Sequence, residues 1–324
     1  MPFSLKPGKK VPPLAGTTLF SDNSRDPWLK QTGIYISPGV DLEKGVVNIV
    51  LWFHGFYVGG IEALLSTDRS AVRGQASSSG KNVVLVAPYL GLGGAGDKST
   101  FSVKDLKGNW GERFLNQVLA ALAGLRSSGE TVGIGRLFIA CHSAGGQAMR
   151  AVVGTLGGFK GKLAECWGFD CLYTTGRDSE GPHPERDDAN FWNKWLRGED
   201  GRPLFIFFGK STVPQSVKLN LLGRGLATDM GARRDPRDPQ EVDKLTVRLG
   251  IDDPRMIDSL MGLQDLLPTT EPDKRPPPDP KFAQRAAENL VRKVEWPKTD
   301  DELMAMHYQI AKDHFLERLK GAGL

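Results

Sequence analysis

Near-continuous runs of apolar and β-branched residues restrict the fold more than any other feature of this chain. The clearest run is Val46–Phe53, and such a run predicts a strand covered on both faces. Segments with helical periodicity separate it from further predicted strands at Gly33–Ser37, Asn82–Ala87, Arg136–Cys141, Leu163–Asp170, Pro203–Phe208 and Asn289–Trp296. The alternation predicts an α/β fold with a mostly parallel central sheet, helices on both faces, and a functional site at the carboxyl ends of the strands.

The helices between these strands are predicted from apolar stripes at helical spacing. They cover Ile61–Ala76, Gly111–Arg126, Gly146–Leu156, Asp188–Arg197 and Asp300–Leu319. With 324 residues, the chain is long enough for one large α/β domain with an insertion, or for two small domains.

Residues 214–280 interrupt the alternation, because they are polar, mixed in charge, and contain five prolines within Thr270–Pro280. Weak helical patterns lie near Pro239–Leu249 and Pro254–Leu267. We interpret 214–280 as an insertion before the last strand, in a core made of residues 1–213 and 281–324. A cap over the site and a partly disordered loop both fit this insertion.

The composition, with 40% apolar and 25% charged residues, is that of an ordinary soluble globular protein. A net charge of +4 without a long Lys/Arg run indicates a mildly basic surface, and we expect no nucleic-acid partner. No apolar segment approaches the roughly 18 residues of a transmembrane helix. The sequence shows no secretory signal, so a cytoplasmic location is expected.

Three cysteines fit no disulfide framework, and this favours a reducing compartment. The five histidines are scattered and make no pattern of metal-ligand spacing, so we expect no metal and no cofactor. The sequence leaves the oligomeric state open.

The residues that carry chemistry lie at the end of the predicted strand Arg136–Cys141. The run Ile139-Ala-Cys-His-Ser143-Ala-Gly-Gly146 passes from a buried strand through Ser143 into a helix. A sharp turn between strand and helix lifts the serine hydroxyl above the sheet, and it demands small residues two positions before and after the serine. Cys141 and Gly145 meet that demand. A helix-capping serine is the competing interpretation of Ser143.

At these residues the chain resembles the α/β-hydrolase superfamily, whose nucleophile turn has the pattern G-x-S-x-G, with Cys141 here replacing the first glycine. The resemblance implies an α/β-hydrolase fold and a nucleophilic Ser143. The segment His54-Gly55-Phe56-Tyr57 resembles the oxyanion loop of the superfamily. By this resemblance, the backbone N–H groups of Phe56 and Ala144 stabilise the oxyanion. We expect His54 to pin its turn by hydrogen bonds, and His142 to be structural.

The resemblance also implies the order Ser, acid, His along the chain. His307 follows the last predicted strand, directly before a helix over Tyr308–Leu319, and is the expected base; His314, seven residues on, is the competitor. The expected acid is Asp170, at the end of a buried strand, because no carboxylate follows Pro203–Phe208 before Asp229. Asp178, Asp187 and Asp188 are the alternative acids.

The sequence therefore predicts a serine hydrolase that cleaves a carboxylic ester of a small-molecule or acyl substrate through an acyl-serine intermediate. An amidase, a peptidase or an acyltransferase could use the same three side chains. A protein of another class, a binding protein that keeps the fold without turnover, is the second hypothesis. The order Ser143, Asp170, His307 speaks against it.

Overall fold

The structure of the chain is a computed structural model. It describes residues 5–7, 17–21, 32–66, 70–91, 103, 106–178, 181–209, 212, 215–216, 218–219, 222, 245–249 and 299–324. The predicted strand Asn289–Trp296 and the predicted helix Pro254–Leu267 lie outside these residues. The chain divides into two compact units, Met1–Trp167 with Ala311–Leu324, and Gly168–Ile310.

The first unit contains the sheet that the apolar runs predict. Its strands are β1 Leu5–Pro7, β2 Thr17–Ser21, β3 Thr32–Ile36, β4 Val46–Phe53, β5 Val83–Pro88, β6 Gly133–His142 and β7 Leu163–Phe169, whose last residues enter the second unit. They lie in the order β1-β2-β3-β5-β4-β6-β7. Strands β1, β2, β3 and β5 pair antiparallel, whereas β4 pairs parallel with both β5 and β6.

Strand β4 lies inside the sheet, as its composition predicts. Val50 is in register with Leu85 of β5 on one side and with Phe138 of β6 on the other. Every side chain from Ile49 to Phe53 is fully buried. A strand buried on both faces needs apolar residues at successive positions rather than at alternate ones. The mostly parallel α/β sheet is therefore confirmed.

Within the described residues of the first unit, four α-helices lie between the strands: α1 Ile61–Ser66, α2 Val72–Ser78, α3 Trp110–Ala123 and α4 Gly145–Val152. The prediction of one continuous helix over Ile61–Ala76 is wrong. Ala71, which directly precedes α2, has a φ of 50°, in the left-handed region. A residue in that conformation cannot continue a right-handed helix, so the apolar stripe is divided between two short helices.

The second unit begins with an antiparallel hairpin of β8 Thr175–Asp178 and β9 Gly181–Asp187. Helix α5, Asp188–Arg197, follows, and the carboxylate of Asp187 accepts a hydrogen bond from the N–H of Asn190 at its start. Two further strands are β10 Leu204–Phe208 and β11 Leu245–Leu249, which pair parallel. The last helix, α6 Asp300–Gly321, begins in the second unit and ends in the first.

Strand β11 corrects one sequence-based expectation, because the weak helical pattern over Pro239–Leu249 is wrong for its last five residues. Pairing with β10 decides their conformation, and Thr246 and Val247 have the β-branched side chains that suit a strand. The predicted insertion over 214–280 therefore includes a sheet strand. Its division from a core of 1–213 and 281–324 stays a prediction.

The second half of α6 packs on the sheet of the first unit through an aromatic cluster. The fully buried ring of Phe315 lies edge-on to Trp52 at 5.1 Å and to Trp167 at 6.0 Å. Beside it, Glu165 accepts a hydrogen bond from Arg318 at 2.5 Å and another from the Trp167 indole at 2.7 Å. Among the described helices, none is long and apolar enough to cross a membrane.

The aromatic cluster gives a test of the packing. Phe315→Ala removes a fully buried ring, and we expect it to lower the free energy of unfolding by about 3–5 kcal/mol. Leu125 is 43% exposed, so Leu125→Ala is the matched control and should change it by less than about 0.5 kcal/mol. Denaturant unfolding followed by circular dichroism measures both. A similar loss in the two variants would contradict this account of α6.

Candidate active site

Ser143 lies in a turn of two residues between β6 and α4, as predicted. Strand β6 ends at His142 and α4 begins at Gly145. The φ of Ser143 is 56°, in the left-handed region that residues other than glycine rarely adopt. Strain of this kind persists only where the surrounding structure imposes it, and it concentrates at functional sites. This left-handed backbone differs from the β-region conformation that is typical of a serine capping a helix.

The turn is held by two glycines that allow backbones to approach closely. A Cβ at Gly145 would lie 2.8 Å from the carbonyl oxygen of His54 and closer still to that of Phe53. A Cβ at Gly55 would lie 2.6 Å from the Cβ of Ser143 and 3.0 Å from its Oγ. The loop after β4 therefore contacts the Ser143 side chain directly. The structure thus brings together the two motifs that the sequence singled out.

Phe56 and Ala144, the expected oxyanion donors, each follow one of the two residues in this contact. Phe56 follows Gly55, and Ala144 follows Ser143 and is the residue before α4. The first N–H groups of a helix have no acceptor within that helix, and they carry the positive end of its dipole. Tyr57, next in the loop, has a φ of 64° and is 60% exposed.

His54 is structural, as expected, and its hydrogen bonds define its tautomer. Its Nδ1 lies 2.6 Å from the carbonyl oxygen of Gly55, and its Nε2 accepts the N–H of Leu90 at 2.8 Å. Nδ1 therefore carries the proton. The ring stacks on Tyr89 at 5.3 Å. Burial lowers the pKa of His54 from 6.5 to about 4, with the Gly55 carbonyl opposing this shift, so the ring is neutral at pH 7.

Asp170 follows β7 with a φ of 46° and is 2% exposed. Its own N–H donates to the carbonyl of Phe207 at 2.6 Å. Its Oδ1 accepts the N–H of Gly209 at 2.9 Å and the hydroxyl of Thr212, and its Oδ2 lies 2.5 Å from Nδ1 of His307. Burial alone raises the pKa of this carboxyl, but the hydrogen bonds and charge of His307, with the bonds from Thr212 and Gly209, outweigh burial and lower the pKa.

His307 lies inside α6, and the expectation that it directly precedes a helix is wrong. The helix starts at Asp300, as predicted for the segment Asp300–Leu319, and this start lies eight residues before Tyr308. Because a carboxylate can only accept, Nδ1 of His307 donates to Asp170, and Nε2 of the neutral ring is left as an acceptor. The ring is 9% exposed and lies edge-on to Tyr173 at 6.4 Å and to Tyr308 at 5.6 Å.

The competing residues have other roles in the structure. The Nδ1 of His314 lies 3.0 Å from Glu317, in the same helix. Asp187 caps α5 and is 3.0 Å from the Lys218 ammonium, and Asp188 accepts the N–H of Thr174 at 2.8 Å. Cys141 and His142 are buried at the end of β6, and Asp178 is the last residue of β8.

Thr212 and Gly209 are partners of Asp170 that the sequence did not indicate. The chain has no carboxylate between β10 and Asp229, and the loop after β10 instead contributes a hydroxyl and a backbone N–H. A threonine in a loop carries no pattern that distinguishes this role from any other.

The solved structures to which the chain is similar include several esterases. An S-formylglutathione hydrolase from Agrobacterium tumefaciens is 14% identical over 65% of this chain and 80% of its own, with a TM-score of 0.40. The feruloyl esterase module of Clostridium thermocellum is 14% identical over 67% and 78%, with a TM-score of 0.40. Acetyl xylan esterase 1 from Thermoanaerobacterium is 15% identical over 67% and 76%, with a TM-score of 0.35. No protein-family model and no curated protein sequence matches the chain.

The α/β-hydrolase fold predicted from the sequence is confirmed by the topology of the chain itself. Antiparallel strands form one edge, parallel β5, β4 and β6 follow, and the serine turn comes directly after β6. The chemical properties of the site follow from the side chains and backbone groups of this chain that are described above.

The contact between Gly55 and Ser143 can be tested by adding one methyl group. Gly55→Ala places a Cβ 2.6 Å from Ser143, and we expect it to lower the free energy of unfolding by about 1–3 kcal/mol. Gly59, in the same loop, is the matched control, because a Cβ there would meet no described atom within 4 Å. Gly59→Ala should change the stability by less than about 0.5 kcal/mol. Equal stability of both variants in urea unfolding would show that the loop does not press on Ser143.

The buried neutral His54 predicts a dependence of stability on pH. The unfolded chain binds a proton at this residue below pH 6.5, whereas the folded chain resists protonation until about pH 4. The stabilisation from His54 is therefore complete above pH 6.5 and is lost as the pH falls towards 4. Between about pH 7.5 and about pH 5 the parent should lose about 2 kcal/mol more than His54→Gln, which cannot titrate. If the free energies of unfolding of the two proteins changed with pH in the same way, His54 would not be a buried neutral residue.

Proposed function

We propose that this protein is a serine hydrolase that cleaves carboxylic esters through an acyl-serine intermediate, with Ser143 as nucleophile, His307 as base and Asp170 as acid. The observation that carries the proposal is the 2.5 Å hydrogen bond between the buried Asp170 carboxylate and Nδ1 of His307. A carboxylate in this position selects the imidazole tautomer whose Nε2 can accept a proton, and it stabilises the imidazolium that results.

Ser143 supplies the nucleophile in this proposal. A serine hydroxyl is weakly nucleophilic until a base removes its proton, so the turn conformation at φ 56° matters only together with an oriented imidazole. Oγ of Ser143 attacks the ester carbonyl carbon while its proton passes to Nε2 of His307. The carbonyl π electrons move to oxygen and form the tetrahedral oxyanion.

The N–H groups of Phe56 and Ala144 are the proposed donors to that oxyanion. Support for this assignment comes from the contact of Gly55 with Ser143, since each donor residue is the next one along the chain. Fixed backbone donors are effective because they need no reorganisation as charge develops, and removing one such donor in other enzymes costs about 2.7–4 kcal/mol.

The second half of the reaction regenerates the enzyme. The tetrahedral intermediate collapses, the bond from carbon to the alcohol oxygen breaks, and His307 returns the proton to the leaving alkoxide. A water molecule then attacks the acyl carbon as His307 takes one of its protons, and the acid is released with Ser143 reprotonated. The buried Asp170, whose pKa is lowered, stays ionised throughout. This cycle uses no metal or cofactor.

A serine-directed probe and an ester panel test the proposal. A fluorophosphonate should label the parent and fail to label Ser143→Ala, and p-nitrophenyl esters should be hydrolysed by the parent alone. His307→Gln should lower kcat by about 10⁴-fold, because the base is lost. His314→Gln is the matched control, a second buried histidine of α6 that pairs with Glu317, and should retain kcat within about threefold. Equal labelling of the parent and Ser143→Ala would remove Ser143 from the mechanism.

A further inference from the structure

The loop after β10 supplies two hydrogen bonds to a single oxygen of Asp170. The N–H of Gly209 donates to Oδ1 at 2.9 Å, and the hydroxyl of Thr212 donates to the same atom. The other oxygen, Oδ2, faces Nδ1 of His307. The loop thus holds one oxygen of the carboxylate, and the other oxygen orients the imidazole.

The loop is shaped for this contact. The N–H of Thr212 donates to the carbonyl of Gly209 at 3.2 Å, which closes a single turn, and the Thr212 side chain is fully buried. A Cβ at Gly209 would lie 2.8 Å from Cδ1 of Ile310 and 3.1 Å from Oδ2 of Asp170. Ile310 lies three residues after His307 in α6, so the turn contacts both the carboxylate and the helix that carries the imidazole.

Two donors on Oδ1 restrict the rotation of the carboxylate. A carboxylate with a single partner can turn about its terminal bond and exchange its oxygens, whereas one with a fixed oxygen cannot do so without losing charge-assisted hydrogen bonds. Such bonds are shorter and about twice as strong as neutral ones. Both residues are buried, and an unpaired polar group costs more in the low dielectric of the interior than at the surface.

We propose that Thr212 is a positioning residue, whose hydroxyl fixes the Asp170 carboxylate in the orientation that holds His307 for proton transfer. The proposal rests on the hydrolase function proposed above. Thr212 acts through Asp170 and does not itself touch the reacting atoms. The acid, Asp170, follows β7, whereas the hydroxyl that positions it belongs to the loop after β10.

A comparison of two substitutions separates the hydroxyl from the shape of the side chain. Thr212→Val keeps the shape and removes the donor, and we expect kcat for a p-nitrophenyl ester to fall about tenfold with KM within about twofold. Thr212→Ser keeps the donor and should restore kcat to within about threefold of the parent. A Thr212→Val enzyme with kcat within about twofold of the parent would overturn the proposal.

A double-mutant cycle with Asp170→Asn tests whether Thr212 acts through the carboxylate. Once the acid is lost, Thr212→Val should change kcat by less than about twofold, because the hydroxyl has no charged oxygen to position. A merely structural threonine would lower kcat by the same factor in both backgrounds, and that result would overturn the proposal.

The pH profile provides a second readout. Thr212 is one of the groups that lower the pKa of Asp170. Without its hydroxyl the carboxylate charge is stabilised less by the loop and stabilises the protonated form of the base more, so Thr212→Val should move the acid limb of kcat/KM to higher pH. The matched control is Thr155→Val, which removes a buried hydroxyl that donates to the carbonyl of Val152 and accepts from Gly111. That variant should lose stability and keep both kcat and the acid limb. An unmoved limb in Thr212→Val contradicts the positioning role.

A measurement without substrate distinguishes failure of this proposal from failure of the hydrolase function. If Ser143→Ala hydrolyses esters as fast as the parent, the hydrolase mechanism is wrong. The link from Thr212 to Asp170 is then decided by urea unfolding of the same four proteins of the cycle. Thr212→Val should raise the unfolding equilibrium constant at least about threefold more in the parent than in Asp170→Asn. If Thr212→Val raised the unfolding equilibrium constant by the same factor in both backgrounds, the link between Thr212 and Asp170 would be overturned.

Discussion

The rest of the first unit depends on the close approach of two backbones at the carboxyl end of the sheet. The start of α4 lies so near the end of β4 that position 145 has no room for a Cβ, and Gly55 lies against Ser143. This contact requires β4 and β6 to be parallel and in register, so that both strands end at the same edge. Ser143 lies between these contacts and has a left-handed φ, a strained conformation of the kind that persists only where the surrounding structure imposes it.

In the second unit, the corresponding constraint is the burial of a charge. A carboxylate removed from water costs several kcal/mol unless hydrogen bonds compensate it. At Asp170 the compensation comes from Gly209, Thr212 and His307, and together these donors outweigh burial and lower the pKa. The interactions that make the buried charge tolerable also orient the imidazole. Stability and the proposed chemistry therefore depend on the same three contacts.

Much of the fold could be predicted from the sequence, and the exceptions have a common cause. Val46–Phe53 is a strand with the predicted bounds, because its apolar run leaves few alternatives. The predicted single helix over Ile61–Ala76 failed at Ala71, and the helical pattern over Pro239–Leu249 failed at β11. Short segments have weak local preferences, and a neighbouring strand or a tight turn overrides them. His307 is a different case, because it lies well inside the long helix predicted over Asp300–Leu319 and not before its start.

The sequence by itself determined the alternation of strands and helices, the position of Ser143 between a strand and a helix, and the candidates Asp170 and His307. These are properties of periodicity and of residue type, which act over a few neighbouring positions. Only the tertiary structure decided that Asp170 pairs with His307, that His314 pairs with Glu317, and that Thr212 reaches Asp170. Asp170 and His307 are 137 positions apart in the chain, and no local pattern encodes a hydrogen bond over such a separation.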